Sequence, residues 1–365
     1  MPATSTRALV AALALPFAVL SCSSSESAAP AGTGGSAGVA NDGGVHPGNG
    51  PYGCPGATCD LSQSICLASA DNAGKSRVDL RIGQLAVTAP KALTQPFVRD
   101  TVIGANLSLN VESCALYGKG QFSWLLSFDL ANNTLTTGGA PIIADEAALK
   151  AGTCFLDTRD AKTGLDIKPA TVSATVAADG SFGTTGAVDK VAIPIFLDQT
   201  GQNVVYLPLH QVVFDGLPST GLLGDDGQPR RDGNCLGWYR SDSLAESENC
   251  LPADSNNGTV WQNGAHLVGY ITVAEADTVW VKDSAESLCV LLSPDSSCKD
   301  DGATDPSRKG YCVQTPKCTT GDWDAASNTA GGAKDAYKLE ANFAASGIAI
   351  KGVATQLDCS DAKPW

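Results

Sequence analysis

Thirteen cysteines constrain this 365-residue chain more than any other feature. They fall at Cys22, Cys54, Cys59, Cys66, Cys114, Cys154, Cys235, Cys250, Cys289, Cys298, Cys312, Cys318 and Cys359. No CxxC pair occurs, and the spacings 54–59, 59–66 and 312–318 match no zinc knuckle or ribbon. Disulfides are therefore the stronger reading and a metal framework the weaker. An odd thiol in an exported, oxidised protein calls for an explanation. Setting Cys22 aside leaves an even set that can pair completely.

The N-terminus supplies both the export and the explanation. Arg7 gives a positive start, and Ala8 to Leu20 is an apolar run too short to span a bilayer. It ends in Val19-Leu20-Ser21-Cys22, with small Ser21 where a signal peptidase cuts. This string resembles a lipobox, the signature of bacterial lipoproteins. The resemblance covers the first 22 residues only. It implies a signal peptide over 1–21, diacylation of the Cys22 thiol and a membrane-tethered mature chain in the bacterial envelope. The alternative is an ordinary secretory signal cut after Ala18, which would leave Cys22 as a spare thiol.

Residues 22–53 read as a linker. Ser, Ala, Gly, Pro, Asn and Thr dominate, Lys and Arg are missing, and no aromatic comes before Tyr52. Such a segment cannot bury enough to offset its ordering entropy. A Gly/Ser-type coil of that length spans roughly 30 Å r.m.s..

Residues 54–365 carry the fold. The chain is 43% hydrophobic, enough for a core, and its length fits one domain or a split near 217–235. The net charge of −14 argues against nucleic acid and against electrostatic binding to anionic lipid.

The hydrophobic pattern has mostly period two. Val78, Leu80 and Ile82 share a face, and the phase slips at Gly83 so that Leu85 and Val87 take over, the mark of a β-bulge. Gln121–Leu130 and Thr134–Thr137 around Asn132-Asn133 read as a hairpin. Further strands are expected at Ala170–Val176, Val188–Leu197, Val204–Phe214, His266–Thr272 and Lys338–Lys351. Helices are few. Glu146–Ala151 is followed by Gly152, Thr272 to Glu275 forms a capping box, and Ala92–Gly104 has room for a turn or two. The expected fold is mainly β, a disulfide-stapled sandwich or barrel-like domain with few short helices. The stretches 216–264 and 293–333 read as long loops stapled by their cysteines. Cys114–Cys154 and Cys235–Cys250 are the expected pairs, each being next to the other along the chain; the other cysteines stay unassigned.

Catalytic signatures are sparse. The one G-x-S-x-G match, Gly34 to Gly38, sits in the linker without the strand and helix that a nucleophile elbow needs. No HExxH, dinucleotide fingerprint or P-loop occurs. The folded part has two histidines, His210 and His266, each read as a strand histidine with a hydrogen-bond partner. Acidic turns at Asp225, Asp226 and Asp232, and at Asp300, Asp301 and Asp305, lack EF-hand spacing and read as solvated turns. Trp238, Tyr239, Trp261 and Trp323 lie in or beside the cysteine-rich loops and are the candidate ligand surface, with loop anchoring as the plainer alternative. The sequence thus predicts a lipid-anchored binding or structural module with no cofactor and no metal, and with an unknown protein or glycan partner. A tethered hydrolase using a carboxylate pair is the alternative.

Overall fold

The computed structural model describes residues 68–94, 122–143, 146–161, 164–196, 201, 204–217, 221–224, 228–239, 244–245, 251–252, 261–281, 286–292, 298–300, 312–314 and 320–364. The segments 1–21 and 22–53, Cys22, Cys114 and Cys250 lie outside them.

The fold follows from the period-two pattern. The main strands are β1 (Arg77–Ala89), β2 (Trp124–Asp129), β3 (Thr134–Gly139), β4 (Thr153–Leu156), β5 (Ala170–Val176), β6 (Phe182–Thr184), β7 (Val188–Phe196) and β8 (Val204–Gly216). They are followed by β9 (Cys235–Tyr239), β10 (Trp261–Asn263), β11 (Ala265–Thr272), β12 (Ala336–Gly347) and β13 (Ile350–Ala354). Antiparallel pairing runs β1–β2–β3–β5–β6–β8–β11–β12, and β12 then pairs β1. The ring is therefore closed, and of the two architectures expected the chain adopts the barrel. β7 prolongs the line of β6 along β8, from Val188↔Val212 to Phe196↔Val204.

Closure separates two faces. Val78, Leu80 and Ile82 of β1 point inward with Trp124, Leu126 and Phe128 of β2, and with Leu339, Ala341, Phe343 and Ala345 of β12. Side chains fill a barrel of this size. Trp124 sits at the centre, 1% exposed, edge-on to Phe122 and Phe214 at centroid distances of 6.3 and 5.9 Å. Its indole Nε1 donates to Thr137 Oγ1 at 2.7 Å, so the buried polar atom is satisfied. The alternate positions of β1 are Arg77, Asp79 and Arg81, and Lys338 and Glu340 alternate with the inward residues of β12. On these two strands, charged side chains thus alternate with apolar ones that face the interior.

The bulge expected at Gly83 is present. The β1–β12 register shifts between Ile82 and Gln84, which keeps Leu85 and Val87 against the core. The Asn132-Asn133 hairpin also forms: Asn133 adopts φ 52°, and the Asp129 carboxylate accepts from the amides of Ala131 and Asn132. Three short helices occur among the described residues: α1 (Glu146–Ala151), α2 (Val273–Thr278) and α3 (Leu288–Leu292). Gly152 takes φ +82° just past α1, as its position predicts. Of the stretch 92–104, the described part holds a 3₁₀ turn at Lys91–Thr94.

Several sequence expectations are corrected. The strand expected over Lys338–Lys351 is two strands. β12 ends at Gly347, where Ser69 N donates to the Gly347 carbonyl at 2.7 Å and a Cβ would come within 2.4 Å of the Ala70 carbonyl oxygen. Beyond it, Ile348 and Ile350 turn outward into a second apolar cluster with Leu125, Ile143, Leu149 and Phe155. There β13 pairs in parallel with β4. The stretch 216–264 is not simply loop. β9 within it joins the barrel sheet through Cys235↔Ser346 and Leu236↔Ala345, with Leu236 in the core. In 293–333, Cys298–Asp300 pairs with Cys312–Gln314 as a small hairpin.

The expected Cys114–Cys154 disulfide is also overturned. Cys154 is bonded to Cys359, 205 residues away, with a Cα–Cα distance of 5.8 Å. The reason is the β4–β13 pairing, which returns the chain end over β4, where Lys363 pairs with Val353. Cys235 is disulfide-bonded, and so is Cys289. Removing a bridge that closes so long a loop costs about 2–5 kcal/mol. Replacing Cys154 and Cys359 together by Ala is expected to lower the urea-unfolding free energy by that amount, and non-reducing peptide mapping of the parent protein should recover the Cys154–Cys359 link. Recovery of Cys154 joined to Cys114 would contradict the pairing.

Candidate functional site

One polar cluster of the outer wall is built by strand register. β7, β8, β11 and β12 are neighbours, and Lys190, His210, Tyr270 and Lys338 stand directly opposite one another across them. Directly opposed residues share a face, so the four form one transverse row. Bulging in β8 between His210 and Val213, with Gln211 at φ 49°, holds the row in place. Gln211 in turn donates from Nε2 to Asp189 at 2.9 Å.

Glu275 joins the row from α2. Thr272 is the N-cap of that helix, and Glu275 is the fourth residue of its capping box, as the sequence predicts. The box aims the carboxylate at the barrel wall. His210 Nε2 lies 2.9 and 2.8 Å from its two oxygens, Lys190 Nζ donates at 2.7 Å and Thr272 Oγ1 at 2.8 Å. The His210 ring stacks on Tyr270 at 5.4 Å between centroids, and the Tyr270 hydroxyl donates to the Ala325 carbonyl.

The electrostatics follow from these contacts. Burial alone would raise the Glu275 pKa, but hydrogen bonds from His210, Lys190 and Thr272 outweigh it and hold the group at about 2. Burial raises the Tyr270 phenol, with further upward pushes from Asp189, Asp335 and Glu275. A carboxylate kept ionised by three donors cannot serve as a proton donor near neutral pH. Its place in the fold is that of a latch: it ties α2, which contributes Val273 and Ala276 to the core, to β7 and β8.

The aromatic residues singled out by sequence fall at two places in the strand register. Tyr239 and Trp261 stand opposite each other in the β9–β10 register, with Trp238 opposite Gln262. Trp323 pairs with Ala336 at the far end of β12 from the Cys235↔Ser346 contact of β9. The two positions are ten residues apart along β12, about 33 Å of chain. Trp323 Nε1 donates to Asn328 Oδ1 at 2.9 Å, and Lys338 Nζ stands 4.9 Å from the ring centroid. Those contacts anchor the loop onto the sheet. His266 lies on β11 opposite Asp215 and Asn342, four residues from Tyr270, and so apart from His210. Asp232 accepts from the Gly74 amide, while Asp225, Asp226, Asp301 and Asp305 lie outside the described residues. Among the described residues no group of three or more His, Cys, Asp or Glu side chains is placed to hold a metal ion.

Sequence reasoning found Glu275 as a cap and His210 as a strand histidine, but not their contact, and it missed Lys190, Tyr270 and Lys338 as its neighbours. No protein family, curated protein or solved structure matches the chain.

The pH dependence of the latch has a definite sign. The folded pKa of Glu275 is depressed from 4.5 to about 2, so its contribution is present above the unfolded value and lost as pH falls toward about 2. Glu275→Gln keeps a capping-box acceptor but removes the charge, and is expected to cost about 2 kcal/mol at pH 7. In urea unfolding the gap between parent and variant should close as pH falls from 4.5 toward 2. A gap independent of pH would contradict the latch.

Proposed function

We propose that this chain is an exported envelope protein, anchored to a bilayer by lipid on Cys22, whose stapled barrel acts as a non-enzymatic binding or structural module for a protein or glycan partner. The observation that carries the reading is the Val19-Leu20-Ser21-Cys22 string closing an export-type apolar run. The disulfide state of Cys154, Cys235, Cys289 and Cys359 supports an oxidising compartment. It also removes those cysteines from the pool of nucleophiles. Commitment of Glu275 and His210 to a latch supports a structural rather than a catalytic role for the histidine. The charge of −14 disfavours nucleic acid as the partner.

One acyl chain binds a bilayer marginally, whereas two hold it stably. Cys22→Ser is therefore expected to move the protein from the membrane fraction to the soluble fraction of cells, and to abolish uptake of labelled fatty acid. A serine variant that still sediments with membranes, beside a parent protein that takes up no label, would overturn the anchor.

A further inference from the structure

We draw no further inference here: the strongest candidate, the Lys190–His210–Tyr270–Glu275 cluster on the outer wall beside α2, belongs to the site already described, its carboxylate is engaged by this chain's own side chains, and nothing in the structure shows a ligand or partner that covers it.

Discussion

The pairing of β1 with β12 is the contact on which the rest of the structure depends. It joins the first strand described to the last strand of the ring, from Leu80↔Gly347 to Ala89↔Glu340. Without it the sheet would have two long edges, each a row of unsatisfied backbone groups open to aggregation. With it, every inward side chain faces the others across a filled interior. β1 serves two neighbours along its length: Arg77 to Arg81 pair with β2, and the β12 pairing starts at Leu80 and continues past the bulge after Ile82 to the end. Trp124, Phe214 and Phe343, edge-on to one another in the middle, then fix the spacing of opposite walls.

Two attachments hang on that ring. At the end where β11 finishes and β12 begins, α2 and α3 close over the core, and Glu275 ties α2 to the wall through Lys190 and His210. Outside the wall, β4 and β13 form a second layer on Leu125, stapled by Cys154–Cys359. Both attachments join residues distant in sequence to the same scaffold.

Much of this was legible because it is local. Alternation at Val78, Leu80 and Ile82, the slip at Gly83, the Asn132-Asn133 turn and the Thr272–Glu275 box each occupy a few consecutive residues, and each sets its own backbone geometry. What was not legible depends on register between remote strands. The chain neighbour of Cys154 gave no clue to Cys359, because a parallel β4–β13 ladder carries no local signal of which strand it joins. The row of Lys190, His210, Tyr270 and Lys338 exists only because four strands align at one level. Shifting any one by a single residue would turn its side chain to the other face. For Trp323 loop anchoring was the plainer reading of the sequence, but its partners Asn328 and Lys338 are not readable from it.

Native-state hydrogen exchange tests the closed ring most directly. If β1 and β12 seal the barrel, the amides that bond across Gln84–Ala89 and Glu340–Ala344 should exchange only with global unfolding, at the same free energy as those between β2 and β3. Exchange of the β1 amides at a much lower free energy, while β2 and β3 stay protected, would mean that β1 is an open edge and would contradict the barrel.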